Sequence, residues 1–271
     1  MGSEKSKKQS PYVQLKEACS SAEDLVGYLK FKALSHNYYK RYTVYERLEN
    51  WLEDSSLYLS DGNNWSDSDD KVRLNPHESE VKNFCACFTF SKSENVAMWM
   101  LYGGMQQDGV MIDFTPTEII RLLSTEELSL GFWSEGRFVT VQNVTRQDFV
   151  IELSDVLYCD HLNDDSTTIK RSDARQEAIP RDNLTGLAWR EKSYPWFFEN
   201  ECRLVVTIPK SLLTDDRIDT VRIKADKLYA QAIKNQRIYH SPNSERKQYF
   251  PSTLRNHMRW NLCEGNCPNK K

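Results

Sequence analysis

Trp196-Phe197-Phe198-Glu199-Asn200-Glu201-Cys202-Arg203-Leu204-Val205-Val206 sets two carboxylates and an arginine at alternate positions and runs straight into an apolar, β-branched segment. Side chains alternate in direction along a strand, so this spacing predicts Glu199, Glu201 and Arg203 on one face and Asn200, Cys202 and Leu204 on the other. Two readings of the charged face stay open. It is an edge strand whose charges pair with one another in solvent, or it is a cleft wall where Arg203 keeps one carboxylate ionised while the other meets a ligand.

Working back from that stretch, Leu184 to Tyr194 reads as a short helix leading to Pro195, and the polar residues 160–183 before it read as a long mobile loop. Ile151 to Cys159, Phe138 to Val144 and Gly109-Val110-Met111-Ile112-Asp113-Phe114 read as strands, the last followed by a helix that starts at Thr115-Pro116-Thr117-Glu118. Phe84-Cys85-Ala86-Cys87-Phe88-Thr89-Phe90 is apolar on both faces except at Thr89, which predicts a strand in the middle of a sheet. Ser91-Lys92-Ser93-Glu94 has the form of a capping box for a helix carrying Val96, Met98, Trp99 and Tyr102 that stops at Gly103-Gly104.

Nearer the N-terminus, Tyr38-Tyr39-Lys40-Arg41-Tyr42 reads as a short aromatic strand that passes through a second capping-box pattern, Thr43-Val44-Tyr45-Glu46, into a helix ending near Asp54. Leu57 to Ser60 is a further strand, and the turn-rich, acidic residues 61–80 read as a mobile loop. Residues 12–34 carry helical periodicity, with Ser21 placed ahead of the acidic turn Glu23-Asp24. After the opening stretch, Val221 to Ile238 alternates weakly before turning helical, and the polar tail has Trp260 as its anchor. These elements predict a single α+β domain over residues 12–240, a mixed, mostly antiparallel sheet flanked by helices, between a disordered leader (1–11) and a polar C-terminal tail (241–271).

The formal net charge of −3 over 271 residues gives no bulk basicity of the kind that marks nucleic-acid binding, although a local groove can be basic on a neutral protein. Seven Trp, 13 Tyr and 11 Phe supply rings for a core or for a pocket that takes a flat ligand. No run of about 18 apolar residues occurs, and the start of the chain is polar and lysine-bearing, which predicts a cytoplasmic protein with no membrane partner. The seven cysteines lack the spacing of a disulfide framework, and Cys263-x-x-x-Cys267 has no second Cys/His pair at zinc-ligand spacing.

No glycine-rich phosphate loop and no Gly-x-Ser-x-Gly elbow is present, and His36, His77, His161, His240 and His257 are scattered as surface histidines would be. What remains is Arg41 on an early strand, Thr89 and Ser91 at the end of the buried strand, Trp99 and Tyr102 on the next helix, and Glu199 with Glu201 late in the chain. Each has a plain reading as well: Arg41 as a surface arginine, Ser91 as a helix cap, Trp99 and Tyr102 as core aromatics at helical spacing. A metal-dependent phosphodiesterase built on Asp67, Asp69 and Asp70 is a further alternative, against which consecutive loop acids usually face water.

Tyr39-Lys40-Arg41-Tyr42, Cys87-Phe88-Thr89-Phe90-Ser91, Trp99-x-x-Tyr102, Val156-x-Tyr158 and Lys192-x-x-x-Trp196-x-x-Glu199-x-Glu201-x-Arg203 together resemble a widespread bacterial domain family of unknown function over roughly residues 38–208. The chain departs from that family's Phe-Asn-Asp-Pro loop at Asn63-Asn64-Trp65-Ser66-Asp67. The order of the blocks is also similar to that of ADP-ribosyltransferases, in particular DNA-modifying toxins. That resemblance implies NAD as substrate, with Arg41 on its phosphates or ribose, Ser91 supporting the nicotinamide pocket and Tyr102, beside Trp99, stacking on the ring. It implies Glu201 as the catalytic carboxylate, with Glu199 beside it, and no metal. It further implies a toxin or phage-defence effector that modifies a nucleic acid or a protein and is held in check by an antitoxin or chaperone. The alternative from a different class is a non-catalytic interaction or sensor module that docks a partner through Glu199, Glu201 and Arg203. Pairing of Arg203 with Glu201 would make that carboxylate a structural partner, whereas pairing with Glu199 would leave Glu201 free.

Overall fold

Nine consecutive residue pairs join Val81–Thr89 to Glu201–Pro209, from Glu201 opposite Thr89 to Pro209 opposite Val81. The computed structural model describes residues 22–103, 109–159, 166–168, 178–180, 187–224 and 237–240. In chain order it contains α1 (Ala22–Leu34), β1 (Tyr39–Val44), α2 (Tyr45–Asp54), β2 (Ser56–Ser60), α3 (Ser68–Leu74), β3 (Val81–Thr89), α4 (Val96–Tyr102), β4 (Gly109–Phe114) and α5 (Pro116–Leu123). There follow β5 (Glu127–Ser134), β6 (Arg137–Thr145), β7 (Val150–Asp155), β8 (Leu157–Cys159), β9 (Ser166–Thr168), β10 (Ala178–Pro180), β11 (Glu191–Ser193), β12 (Glu201–Pro209), β13 (Thr220–Lys224) and β14 (Arg237–His240). The architecture is α+β with a curled, mostly antiparallel sheet. Apart from that sheet, β8 and β11 form a separate parallel pair.

The sheet forks at β3. One edge of β3 is taken by β12, which pairs on its far side with β7. On the other edge, β1 joins near the end of β3 through Lys40 and Thr89, and β2 joins at Cys85 through Ser60. From there one arm runs β1-β4-β14 and the other β2-β13-β5-β6.

Alternation along β3 and β12 divides the interior in two. Phe84, Ala86 and Phe88 with Cys202, Leu204 and Val206 belong to the main core, together with Trp51 and Leu52 of α2 and Ile119 and Leu122 of α5. On the opposite face Cys85, Cys87 and Val205 pack with Leu74 of α3, Trp65 and Trp189. Glu201 and Arg203, set between these on β12, share that second face.

Several local expectations hold and others shift for identifiable reasons. Thr115 and Glu118 form the reciprocal capping box of α5. The other two capping-box patterns are not used: Val44 precedes α2 without a side-chain cap, and α4 is capped by Asn95, whose side chain accepts from Ala97 N–H. Ser91 and Glu94 are engaged elsewhere, Ser91 accepting from Asn200 and Glu94 accepting from the Trp99 indole N–H. Within the expected loop 61–80, α3 forms because Asp67 accepts hydrogen bonds from Asp69 and Asp70 N–H, an N-cap with an acidic first turn. β5 was not anticipated; a bulge in its pairing with β6 lies at Gly131, where a Cβ would fall 1.9 Å from the Val139 carbonyl oxygen. The helix expected over Leu184 to Tyr194 is, where described, a 3-10 turn (Ala188–Arg190) followed by β11. β9 and β10 pair within the loop expected over 160–183, and Arg237 and Ile238, expected to be helical, begin β14. The rest of 160–183, residues 225–236, the leader and the tail lie outside the described residues.

Leu204 is fully buried at the centre of β12. Leu204→Ala should therefore lower unfolding free energy by about 2–5 kcal/mol, the range for removing buried methyl groups where the surroundings relax little. Urea denaturation measures this, and a loss below about 1 kcal/mol would contradict the central place given to β12.

Candidate functional site

The carboxylates at the start of β12 reach the same buried cluster by different backbone routes. Glu201 is the first residue of the strand, but Glu199 ends a 3-10 turn, Tyr194–Glu199, and Asn200 between them adopts the left-handed conformation at φ 44°. The expected continuous strand is thus corrected to a turn followed by a strand. Pro195 and the consecutive aromatics that follow favour the turn, whose last N–H bond runs from Asn200 to the Phe197 carbonyl. Asn200 also donates to Ser91 Oγ at 2.9 Å and accepts the Phe90 N–H, so this corner is fastened to the end of β3.

Arg203 settles the pairing question. Its guanidinium has no exposed surface, and it donates from Nε to Glu201 Oε1 at 2.8 Å and from Nη2 to Glu201 Oε2 at 3.2 Å. Nη2 also donates to Asp70 Oδ2 at 2.6 Å, and Nη1 to the Trp189 carbonyl at 2.7 Å. Lys192 is the second buried cation, 2.6 Å from Glu199 Oε2, 3.2 Å from Glu201 Oε2 and 3.5 Å from Asp70 Oδ2. Its ammonium lies 5.1 Å from the Trp196 ring centre. Tyr102 completes the cluster by donating its hydroxyl to Glu199 Oε1 at 2.5 Å. Tyr158 accepts the Glu201 N–H at 2.9 Å.

The two glutamates are therefore adjacent but electrostatically unlike. Burial works against the ionised form of Glu201, but Arg203 and then Lys192 outweigh it and hold this carboxyl well below the usual range. Burial first, and next the Glu201 charge, push Glu199 up to about 7 even though Lys192 and Tyr102 oppose them. Burial also raises the Tyr102 hydroxyl, so it remains a donor to Glu199 at neutral pH.

Glu199, Glu201, Tyr102 and, through Asn200, Ser91 are brought to one corner. Trp99 shares the helix of Tyr102 but packs edge-on against Tyr42 with Met98 and Met111. Arg41 is not brought to this corner. Lys40 is opposite Thr89 and Thr89 opposite Glu201, so Lys40 shares the Glu201 face and its neighbour Arg41 takes the other, where its guanidinium lies 4.6 Å from the Trp51 ring centre.

Sequence reasoning gave no role to Lys192 or Tyr158, although both stand in the quoted motif, and it placed Asp70 in an acidic loop. Asp67 caps α3 while Asp70 turns inward, so the three aspartates do not converge. Among the described residues no group of three or more His, Cys, Asp or Glu is placed to hold a metal ion. Cys263 and Cys267 lie outside them. His36, expected at the surface, stacks on Phe90 at 3.9 Å and pairs with Asp155 at 2.7 Å. No helix among the described residues is long and apolar enough to cross a membrane.

Comparison of the chain with protein-family models, with curated proteins and with solved structures finds no match in any of the three.

Two outcomes follow from the cluster. Arg203→Met removes one partner of a buried ion pair and leaves Glu201 and Asp70 short of a cation, so stability should fall by about 3–5 kcal/mol in denaturant titration; a loss under about 1 kcal/mol would show that the network is dispensable. The folded carboxyl of Glu199 titrates at about 7 against an ordinary value of 4.5. The native state then holds the extra proton between those values, and this group's contribution to stability falls as pH rises through that window. Relative to Glu199→Gln, the wild type should lose stability from pH 5 to pH 7.5, and a constant difference between the two would refute the raised value.

Proposed function

We propose that the chain is an NAD-dependent ADP-ribosyltransferase with an ADP-ribosyltransferase-like fold, acting as a toxin or defence effector on a macromolecule. The observation that carries this reading is the carboxyl pair Glu199/Glu201, whose members are pushed apart in acidity by Lys192 and Arg203 on one side and by burial on the other. A pair divided in this way suits one fixed anion and one proton acceptor.

In the reaction the bond between nicotinamide nitrogen and ribose C1 breaks, and nicotinamide leaves with the bonding electrons. Glu201, bound through both oxygens to Arg203, is the fixed anion that holds the two cations in place, and ionised Glu199 supplies the negative charge for the oxocarbenium character that develops on the ribose. Glu199 takes the proton from the acceptor's oxygen or nitrogen as that atom bonds to C1, and releases it to water. Tyr102, whose ring reaches solvent while its hydroxyl points to Glu199, supplies an aromatic wall for nicotinamide.

One observation favours a second reading. Glu199, Glu201 and Arg203 are 2%, 4% and 0% exposed and engaged by internal partners, so a non-catalytic module would use this strand end structurally, and the expected docking of a partner through these three residues is corrected.

Incubation of folded protein with NAD decides between them. Nicotinamide release by the wild type, reduced about 100-fold or more in Glu199→Gln, is the expected result. No turnover and no calorimetric binding of NAD would remove the transferase reading and leave the module.

A further inference from the structure

Among the described residues, three that are not glycine take positive φ: Ser55, Glu135 and Asn200. Ser55 ends α2, and Glu135 lies in the short turn between β5 and β6, where such a backbone is ordinary punctuation. Asn200 stands instead between Glu199 and Glu201. Because Glu201 is opposite Thr89, an extended residue 200 would continue β12 back to Glu199 and set that glutamate opposite Ser91. At φ 44° and ψ 57° the ladder stops halfway. The Phe90 N–H still donates to the Asn200 carbonyl at 3.0 Å, but the Asn200 N–H turns back to the Phe197 carbonyl at 3.2 Å. The Asn200 side chain fastens this turn by donating from Nδ2 to Ser91 Oγ at 2.9 Å. As a result one ammonium, Lys192 Nζ, reaches Glu199 Oε2 at 2.6 Å and Glu201 Oε2 at 3.2 Å.

We propose that Asn200 is a positioning residue for Glu199: its left-handed backbone, fastened through Ser91, keeps that carboxyl inside the buried cluster instead of on a continued strand. Backbone in a sparsely populated region persists where its surroundings over-determine it, and here Phe90, Ser91 and Phe197 all do so. Asparagine is the side chain that tolerates this region best after glycine and can also reach across to a hydroxyl. The consequence for acidity follows from geometry. Burial first and the Glu201 charge second raise the Glu199 carboxyl, and both act only while it stays in the cluster. An extended residue 200 carries Glu199 past them and returns it toward its ordinary value. The consequence for activity rests on the transferase reading, in which Glu199 is the proton acceptor, and adds Asn200 as the residue that holds it beside Glu201.

The test compares Asn200→Gly with Asn200→Val in the full chain. Both lose the bond to Ser91, but only glycine enters the left-handed region freely, so the pair separates the backbone's role from the loss of one contact. The Glu199 carboxyl is titrated by NMR of carbon-labelled glutamate, its signal assigned by its absence in Glu199→Gln. The expected midpoint for Asn200→Gly lies within about 0.5 pH unit of wild type, and that for Asn200→Val at least about 1 pH unit lower. Nicotinamide release should stay within about 3-fold of wild type in Asn200→Gly and fall about 10-fold or more in Asn200→Val, with the acid limb of its pH profile moving with the midpoint. Asn200→Ala, which carries a milder form of the same backbone penalty, takes the place of Asn200→Val should the latter not fold, with the same direction expected. Equal midpoints in the glycine variant and its partner would overturn the positioning role and leave the transferase reading intact. The expected midpoints without nicotinamide release by the wild type would remove the transferase reading and leave the positioning role.

Discussion

The buried guanidinium of Arg203 is the constraint around which this half of the molecule is built. Removing such a charge from water is costly unless every donor finds an acceptor, and three separate segments supply them: Asp70 from α3, the Trp189 carbonyl from the turn before β11, and Glu201 from the arginine's own strand. Lys192 adds a second cation, so two positive groups face Asp70, Glu201 and Glu199. Glu199 is the third carboxyl set against these two cations, and its own burial first, then the charge of Glu201, raises its pKa.

That cluster is possible because β3 and β12 separate it from the main core. Alternation along both strands sends Phe84, Phe88, Leu204 and Val206 to one side and Glu201 and Arg203 to the other, where the Trp65 ring centre lies 5.7 Å from Arg203 and the Trp196 ring centre 5.1 Å from Lys192. The aromatic faces limit access of water to the cations without asking them to give up favourable contacts. The same alternation divides neighbours on β1, setting Lys40 with Glu201 and Arg41 with Trp51. A strand residue cannot be moved to the other face without a shift of register.

The strands were legible where local alternation and burial agree, as in Phe84 to Phe90 and Gly109 to Phe114, and the α5 start was legible because Thr115 and Glu118 satisfy each other within one turn. Glu199 was expected to share a face with Glu201 and does reach the same cluster, but through Asn200 in a left-handed conformation that no alternation pattern encodes. Of the partners of Arg203, Glu201 was legible as one of two candidates, but Asp70 was not, since it is separated from the arginine by 133 residues and its acidic neighbours resemble a solvated run. Asp67 held the overlooked signal, as an aspartate ahead of an acidic turn is a helix start. Lys192 was visible in the motif, but its three carboxylate partners are assembled only when the turn, β12 and α3 come together.

Tyr102 links the two features of the molecule that the packing does not use up. Its hydroxyl holds the titrating carboxyl of Glu199, and its backbone belongs to a helix whose outward side is apolar. Most surface helices hide such a side and show a polar one, whereas α4, seated by Met98 and Trp99 and by the hydrogen bonds of Tyr102 and Asn95, leaves Val96, Met100 and Leu101 exposed. In the proposed transferase, the charge balance set by Arg203 and Lys192 keeps Glu199 poised between its two protonation states.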